Sequence, residues 1–446
     1  MSRRIGEVRA ERQAAGAARA DGACTSTRLV TQRQAVQYRV CIVYPADPMG
    51  VIPGGIDTFI KGVLRWAPPD LHFDLVGITT DPAKAPPGRW TTYSLHPERR
   101  FGFYPVLALR NSERQSAVPV ALRFLVALLR RRVRTTSDVL EFHRIEPWLA
   151  FARDPRPKNL VMHQNMQDLR NLGSDIRWRH FPSLYFRLEE YILPRLSTVF
   201  CVREDATKAY QARFPAMRER IRFTPTWMDP DIFHLPDDLT RMRARAALNQ
   251  RLGFPDEAFV LVTVGRLDRQ KNPLLLLEAF RLLHEDIPEL RLLFIGDGVL
   301  RPELEERIRS AGLQSHVKLI GVQPPPAIAE HLQASDLFVL SSAYEGMPIV
   351  VLEALATGLP VAATDVGEVS RAVHPGVNGE LVSRHDPASL AAAIRTCRDA
   401  IGRLRGKPCA DAVQPFTPQE VLKPIYANYR RLGRLGSGER PRRSVT

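Results

Sequence analysis

Short apolar runs alternate with longer amphipathic segments along most of the chain. From residue 38 onward, the first apolar runs are YRVCIVYP, HFDLVGIT, DVLEFH, NLVMHQ and TVFCV, and each has the length of a buried strand. The segments between them are long enough for helices. Strands that alternate with helices are typical of a parallel sheet covered by helices on both faces.

The alternation stops near residue 224 and then begins again. A proline-rich stretch, TPTWMDPDIFHLPDD, is typical of a linker between domains. It is followed by the strand candidates FVLVTVGRL, LRLLFIGDG, VKLIGV, DLFVLSS and PVAATDVG, each with a helix candidate after it, and by a last helix at residues 418–433. Two such sets predict an α/β protein with two Rossmann-like parallel-sheet domains that face each other across a cleft.

The domain boundaries follow these changes in composition. We expect one Rossmann-like domain at residues 37–230, a second at residues 231–413 and a C-terminal helix at residues 414–435. Residues 1–36 and 436–446 are polar and basic and lack helical periodicity, so both are predicted to be disordered.

The net charge of +15 is concentrated at the two ends of the chain. Residues 1–36 hold seven basic and three acidic side chains, and residues 401–446 hold ten and three. The middle of the chain is therefore close to balance, which argues against a specific nucleic-acid partner. The ends are either solvated tails or segments attracted to an anionic membrane or a polyanionic substrate.

The location of the protein is predicted from its apolar segments. No stretch has the roughly 18–20 uninterrupted apolar residues of a membrane-spanning helix, and the first residues lack the apolar core of a secretory signal. We expect a cytoplasmic protein. A further hypothesis is that it contacts the inner face of the membrane peripherally. The segment AVPVALRFLVALLRRRVR is either a helix lying on an anionic membrane or a core-packed helix, and the second fits the strand that follows it.

A basic turn follows the first strand of the second set. In VGRLDRQKNPLLLLEAF, the strand ends at Val264 and a helix begins at Pro273, so Arg266 and Lys271 fall in the turn between them. Strand ends of an open α/β sheet face the ligand crevice, where two cations can hold a diphosphate. The alternative is a pair of solvated turn residues.

Two acids bracket a helix start in EGMPIVVLE. We expect a helix from near Gly346, with Glu345 on the loop before it and Glu353 about two turns in, roughly 12 Å further along the axis. The free N–H groups of Ile349 and Val350 can contact the same diphosphate. Glu353 can accept two ribose hydroxyls, and Glu345 can reach the group beyond the phosphates. The alternative is a pair of surface acids beside the helix dipole.

The first domain offers a glycine-rich loop and one histidine. Gly54 and Gly55 precede a helix and allow the backbone to approach a ligand, although a helix entry also favours glycine. His163 ends the strand NLVMHQ and should point toward the cleft, unless it is a structural hydrogen-bonding histidine.

Metal and nucleoside-triphosphate sites are not predicted. Asp229 and Asp231 lie in the linker rather than at a strand end, and His143 and Glu146 have no partner cluster in the sequence. There is no GxxxxGK[ST] loop and no GxGxxG after the first strand. The five scattered cysteines form no disulfide framework or CxxC motif. We therefore expect neither a metal nor a cofactor.

The second half of the chain resembles the retaining glycosyltransferases of family 4, which have the GT-B fold. The resemblance is carried by VGRLDRQKN, LLFIGDG, VKLIGV, ASDLFVLSSAYEGMPIVVLEALATGLPVAATDVG and VNGELV, in the order and spacing of that family. In the first half, GGIDTFI and the strand that ends at His163 look like the glycine-rich loop and histidine strand of the family.

The resemblance implies a role for each candidate residue. Arg266 and Lys271 would bind the donor diphosphate, Glu353 the ribose and Glu345 the transferred sugar, without a metal. His163 would face the donor sugar at the reacting carbon. The loop GVQPPP, which contains Val322, would contact the base of the nucleotide. The resemblance also implies that the last helix packs back on the first domain.

Three segments depart from the family pattern. The usual NGVD at the domain junction is TWMD, which keeps only Asp229. The usual GGxxE is GEVSR, so Glu368 replaces a glycine and Arg371 an acid. Arg203 replaces a serine at a helix start. These changes leave the diphosphate residues intact but alter the expected sugar and acceptor pocket.

The functional hypothesis is a retaining hexosyltransferase. Its donor would be a UDP- or GDP-sugar and its acceptor a saccharide or lipid-linked glycan, in cell-surface polysaccharide or glycolipid assembly. A second hypothesis is a non-catalytic nucleotide-sugar-binding protein with the same fold. A third is an anion-binding protein that acts through its basic ends.

Overall fold

Two separate β-sheets organise the chain. The computed structural model describes residues 38–50, 55–96, 99–109, 118–163 and 182–436. Eight strands between residues 38 and 223 form the first sheet, and six strands between residues 259 and 382 form the second. All strand pairs but one are parallel among the described residues. The predicted α/β architecture of two Rossmann-like parallel-sheet lobes facing a cleft is confirmed.

The first sheet has the strand order β3-β4-β2-β1-β5-β6-β7-β8. Its strands are β1 (Tyr38–Val43), β2 (Leu71–Thr79), β3 (Thr91–His96), β4 (Arg99–Ala108), β5 (Val139–Phe142), β6 (Lys158–Met162), β7 (Thr198–Cys201) and β8 (Ile221–Phe223). The antiparallel pair β3-β4 was not expected from the sequence. Strand β3 lies at the sheet edge, so its sequence TTYSLH lacks the apolar run by which the central strands were recognised.

Helices cover the first sheet. They are α1 (Gly55–Arg65), α2 (Val120–Arg131), α3 (Pro182–Ile192) and α4 (Glu204–Arg213), with 3-10 turns at Glu146–Phe151, Leu193–Arg195 and Pro215–Arg220. In α2, Phe124 and Leu128 are buried, whereas Leu122 and Leu129 on its outer side are half exposed. The expected core packing of this segment therefore holds for one of its faces.

The second sheet has the strand order β11-β10-β9-β12-β13-β14 and is parallel throughout. Its strands are β9 (Phe259–Val264), β10 (Leu290–Ile295), β11 (Val317–Leu319), β12 (Leu337–Leu340), β13 (Val361–Thr364) and β14 (Gly379–Val382). The order reverses between β9 and β12. In open α/β sheets, a ligand crevice lies outside the carboxyl ends of the strands at such a reversal.

The helices of the second lobe follow its strands. They are α5 (Asp238–Leu252), α6 (Pro273–His284), α7 (Arg301–Ser310), α8 (Pro325–Ala334), α9 (Ile349–Ala356), α10 (Pro387–Asp399), α11 (Ile401–Leu404) and α12 (Lys407–Ala412), with 3-10 turns at Val369–Arg371 and Gln414–Phe416. Helix α9 begins at Ile349, three residues after the predicted start at Gly346. Pro348 is the residue before the helix, and its φ of −71° and ψ of 110° are extended rather than helical.

The last helix, α13 (Pro418–Gly436), packs on the first lobe. The hydroxyl of Tyr426 donates to the carbonyl of Val63 at 2.9 Å, and Arg430 forms two hydrogen bonds with Asp70 at 2.6 and 2.8 Å. Buried side chains of α13 join the apolar cluster around β1 and α1. The last described helix therefore packs on the lobe that contains the first described strand.

Several sequence predictions fall outside the described residues. They are the disordered ends, apart from Gly436 at the end of α13, and the site residue Gly54. Four cysteines, Cys41, Cys201, Cys397 and Cys409, are buried and free. Within the described ranges, none of the helices has both the length and the apolarity needed to cross a lipid bilayer.

Candidate active site

The crevice at the strand reversal lies between two loops of the second lobe. One loop follows β9 at Gly265 and leads to α6, and the other follows β12 at Ser341 and leads to α9. A small cavity there is lined by Arg266, Lys271 and Ser342, among others. Both loops leave the carboxyl ends of adjacent parallel strands, so the topology itself brings the basic turn beside the acid-bracketed helix start.

Lys271 and Glu345 form an ion pair across these two loops. The Lys271 Nζ lies 2.7 Å from the Glu345 Oε1, and the hydroxyl of Ser342 donates to the same oxygen at 2.8 Å. The side chains are only 22% and 8% exposed, respectively. The hydroxyl of Ser341 also donates to the carbonyl of Lys271 at 2.9 Å. The two predicted site residues are thus held together and compensate each other's charge.

Arg266 differs from Lys271 in its exposure. Its side chain is 70% exposed and lies 3.0 Å from a carboxylate oxygen of Asp268. A second guanidinium nitrogen donates to the side-chain oxygen of Gln270 at 3.1 Å. An exposed surface pair of this kind contributes little stability. The guanidinium can therefore change partners at low cost when an anion enters the crevice.

Two glycines allow the loops of the crevice to approach each other. A Cβ on Gly296, at the end of β10, would lie 1.9 Å from the carbonyl oxygen of Gly265. Gly367 has a φ of +58°, and a Cβ on it would lie 2.1 Å from the carbonyl oxygen of Gly346. Gly296 also donates its N–H to the carbonyl of Gly321 at 2.8 Å, so the exposed Val322 lies close to this strand end.

The start of α9 has free backbone N–H groups and, one turn later, a carboxyl group with a raised pKa. Ile349 and Val350 are its first two residues, so their N–H groups have no carbonyl partner within the helix. Glu353 lies on the next turn. Burial raises the pKa of the Glu353 carboxyl to about 7, and the negative charge of Asp229 adds to the shift. This carboxyl therefore titrates near neutral pH.

An open cleft of about 1060 Å³ separates the two lobes beside this crevice. Its first-lobe wall includes Ile56 and Phe59 of α1 together with His163, and its second-lobe wall includes Gly346 and Ile349. Gly55 is the first residue of α1, next to Ile56 in this wall. The structure therefore brings the predicted residues His163, Gly346 and Ile349 to one cleft.

His163 is connected to buried groups that the sequence did not reveal. Its Nε2 lies 3.0 Å from the Nδ1 of His143, whose Nε2 lies 3.2 Å from Glu141. Burial and the neighbouring His143 hold the pKa of His163 well below its usual value. The available signal was Glu141, an acid within the apolar run DVLEFH. It lies two residues before His143, so in extended chain at the end of β5 both side chains point to the same side.

The residues that depart from the family pattern meet between the lobes. The N–H of Glu204 donates to a carboxylate oxygen of Glu368 at 2.8 Å, and Arg371 forms an ion pair with the side chain of Glu204. The Arg371 guanidinium also lies 4.9 Å from the ring centroid of Phe223. Arg203 approaches Gly346, whose Cβ would lie 3.5 Å from its Cγ. The substitutions therefore form a shared set of interlobe contacts.

The linker acids take part in a further interlobe contact. Arg65, at the end of α1, lies 2.7 Å from a carboxylate oxygen of Asp229 and 2.6 Å from one of Asp231. Both acids are thus paired with an arginine. In the part of the chain that the structure describes, His, Cys, Asp and Glu side chains form no group of three that could hold a metal ion.

Comparison with solved structures defines the fold. Sucrose-phosphate synthase from Thermosynechococcus elongatus aligns over 89% of this chain and 99% of its own, with a TM-score of 0.67 and 21% identity. HepE of Anabaena, solved in complex with UDP-glucose, aligns over 88% of this chain and 100% of its own, with a TM-score of 0.63 and 18% identity. The chain has the GT-B fold of these proteins.

Sequence comparison finds a family model and relatives that match part of the chain. Residues 244–398 match the family model described as glycosyl transferases group 1. D-inositol 3-phosphate glycosyltransferase of Thermobispora bispora is 31% identical over 266 residues, which are 58% of this chain and 60% of that protein. D-inositol 3-phosphate glycosyltransferase 1 of Catenulispora acidiphila is 36% identical over 202 residues, 43% of this chain and 47% of that protein. The second lobe is thus similar to the glycosyl transferases group 1 family, and the matched part of the chain spans 47% to 60% of these two relatives.

Proposed function

We propose that the protein is a retaining, metal-independent hexosyltransferase. Its donor is a UDP- or GDP-sugar and its acceptor a saccharide or lipid-linked glycan, in cell-surface polysaccharide or glycolipid assembly. The observation that carries the proposal is the ion pair between Lys271 and Glu345 at 2.7 Å, located where the strand order reverses and beside the interlobe cleft. That place in the fold is where an α/β sheet binds a nucleotide.

In this proposal, the donor exchanges partners with the ion pair. A diphosphate oxygen takes the place of Glu345 beside the Lys271 ammonium, and the released carboxylate accepts hydroxyls of the transferred sugar. Arg266 and the N–H groups of Ile349 and Val350 add further donors to the phosphates. Once the donor is bound, these groups are in place before the chemical step, and they offset the charge that develops on the departing diphosphate without a metal ion.

The remaining candidates contact the ends of the donor. Glu353 accepts the ribose hydroxyls, and Val322, beside the end of β10, contacts the base. His163 and the helix start at Gly55 meet the sugar from the opposite wall. Retention of configuration belongs to the same proposal. In front-face attack, the leaving phosphate takes the proton of the acceptor hydroxyl. Lys271 and Arg266 then stabilise the negative charge on that phosphate.

The identity of the nucleotide base in the donor is tested by thermal unfolding with UDP, GDP and ADP, each with and without EDTA. A ligand that binds only the native state raises the melting temperature. We expect one nucleotide to stabilise the protein in either condition, and Lys271→Ala to lose that stabilisation. A shift that EDTA abolishes would contradict metal independence, and no shift with any nucleotide would contradict the donor site.

A second candidate function is nucleotide-sugar binding without transfer. It is favoured by Glu368 and Arg371, which stand where the family usually has a glycine and an acid. Both residues contact Glu204 between the lobes. Under this alternative, we expect nucleotides to raise the melting temperature in the same way, but no donor to be consumed. Chromatographic detection of released nucleoside diphosphate over a panel of saccharide acceptors separates the two functions.

Peripheral membrane contact extends the proposal to lipid-linked acceptors. Helix α2 exposes Leu122, Val126 and Leu129, and Arg123 and Arg130 lie in the groove beside them. An apolar surface flanked by arginines suits an anionic bilayer surface. We expect co-sedimentation with vesicles that contain anionic lipid, release by high salt and loss of binding in Leu122→Glu. Equal recovery with neutral and anionic vesicles would contradict this contact.

A further inference from the structure

A chain of buried polar side chains leads from the C-terminal helix to His163. The hydroxyl of Tyr429, on α13, donates to the Glu141 Oε2 at 2.5 Å. The other carboxylate oxygen lies 3.2 Å from the Nε2 of His143, whose Nδ1 lies 3.0 Å from the Nε2 of His163. Glu141 and Tyr429 are fully buried, and His143 is 3% exposed. Only the last member, His163, reaches the cleft.

The surroundings of this chain are aromatic. Phe59 contacts the rings of both histidines, with centroid distances of 5.6 Å to His143 and 5.1 Å to His163. Phe73 lies against Tyr429 at 5.8 Å. Burying a carboxylate among such groups is costly unless each oxygen has a donor, and here each oxygen has one. Apolar residues would fill the same space at lower cost, which favours a functional reason for the acid.

The hydrogen bonds have one consistent direction. Burial and the nearby Glu141 hold the pKa of Tyr429 well above its usual value, so its hydroxyl keeps the proton and donates. A neutral histidine that donates its Nε2–H to a carboxylate keeps a lone pair on Nδ1. In the neutral state of His143, its Nδ1 therefore accepts from the Nε2–H of His163, 3.0 Å away. This leaves the Nδ1 of His163 as a hydrogen-bond acceptor.

We propose that Glu141, His143 and Tyr429 are positioning residues that fix His163 as the neutral tautomer protonated on Nε2. In this state His163 holds its ring against the cleft wall and offers the Nδ1 lone pair to a hydroxyl of the sugar substrate. The inference rests on the proposed transferase function of the cleft. It also gives α13 a role in the site, because undocking of that helix removes the first donor of the chain.

The tautomer is tested on the free protein, without any substrate. In protein labelled with 15N-histidine, long-range proton–nitrogen correlation spectra distinguish the protonated from the unprotonated ring nitrogen, and His163→Gln identifies the signals. We expect a protonated Nε2 and an unprotonated Nδ1 on His163, and loss of that preference in His143→Phe. A proton on Nδ1 in the native protein, or an unchanged pattern in folded His143→Phe, would overturn the proposal.

Transfer kinetics provide a second test with a matched control. Tyr429 and Tyr426 both lie on α13, and each donates one buried hydroxyl hydrogen bond, but that of Tyr426 goes to the backbone of Val63. We expect Tyr429→Phe to lower kcat on the order of tenfold at unchanged donor KM. Tyr426→Phe should lose similar thermal stability and keep kcat.

The two tests also separate this inference from the function on which it rests. Equal kcat losses in the two tyrosine variants would overturn the positioning role. If the native protein transfers no sugar, the proposed function fails, whereas the tautomer of His163 still decides whether the chain of hydrogen bonds works as described.

Discussion

The two walls of the cleft use charge in opposite ways. On the second-lobe wall, Lys271 and Glu345 stand in adjacent loops, and Arg266 is 70% exposed beside them. On the first-lobe wall, Glu141 and His143 are buried behind His163. Groups of the first kind can exchange partners when a charged ligand binds, whereas groups of the second kind can only orient a neighbour. On this basis we propose that one wall binds the donor and that the other holds a fixed geometry for the reaction.

The largest expected effect concerns the wall with exchangeable charges. Lys271→Ala should lower kcat/KM by on the order of 100-fold or more, the scale of removing one preorganised electrostatic donor. It also leaves Glu345, which is 8% exposed, without its ion-pair partner, so the melting temperature should fall. Lys407→Ala removes an exposed ammonium paired with Asp411 and serves as the control.

The double variant Lys271→Ala with Glu345→Gln separates the two causes. It removes the uncompensated carboxylate, so thermal stability should return toward that of the native protein while transfer stays absent. Recovery of activity together with stability would show that the ion pair is structural, and the contrast between the walls would be lost.

The next effect tests whether the loops of the second-lobe wall must lie close together. Gly296→Ala places a Cβ 1.9 Å from the carbonyl oxygen of Gly265 and should cost about 1–3 kcal/mol of unfolding free energy. Gly402→Ala is the matched control, because a Cβ there meets nothing within 4 Å. Urea unfolding of both variants measures the difference, and equal stability would show that the approach of β10 to the basic turn is not constrained.

A smaller effect is expected from the pH dependence of nucleotide binding. The pKa of Glu353 is raised to about 7, and only the ionised form accepts two ribose hydroxyls. Lowering the pH from 8 to 6 should therefore weaken binding about tenfold, since about one tenth of the carboxyl is ionised one unit below its pKa. Calorimetric titration at several pH values measures this. Glu353→Gln should bind weakly and without the pH dependence, and a persistent dependence would assign the titration to another group.

The smallest effect is expected at the contact between the lobes. Arg371 is 41% exposed and pairs with Glu204, which is 34% exposed, and with the less exposed Glu368 at 3.4 Å, so Arg371→Ala should change the unfolding free energy by about 1 kcal/mol. Chemical denaturation provides the measurement. A loss of several kcal/mol would show that this contact behaves like the buried hydrogen-bonded groups of the first-lobe wall and not like an exposed ion pair.

The sequence predicted the second-lobe wall better than the first. Arg266 and Lys271 directly follow an apolar strand, and Glu345 follows the strand beside it, so periodicity and the rules of parallel sheets are enough to place them together. The start of α9 was misplaced by three residues because proline also fits the position just before a helix. The roles of these residues stay predictions until a ligand is bound.

The first-lobe wall could not be predicted in the same way. Glu141 and Tyr429 are 288 residues apart, and no local pattern connects a strand residue to the last helix. Likewise, Glu368 and Arg371, two departures from the family pattern, contact Glu204, which is more than 160 residues away along the chain. Long-range pairing of side chains depends on how the lobes pack, which hydrophobic periodicity does not specify.

The central claim is that donor binding opens the ion pair between Lys271 and Glu345. A crystal structure with the stabilising nucleoside diphosphate and its sugar tests it most directly. We expect a phosphate oxygen within hydrogen-bond distance of the Lys271 Nζ and sugar hydroxyls on Glu345. A diphosphate bound elsewhere, with Lys271 still 2.7 Å from Glu345, would contradict it.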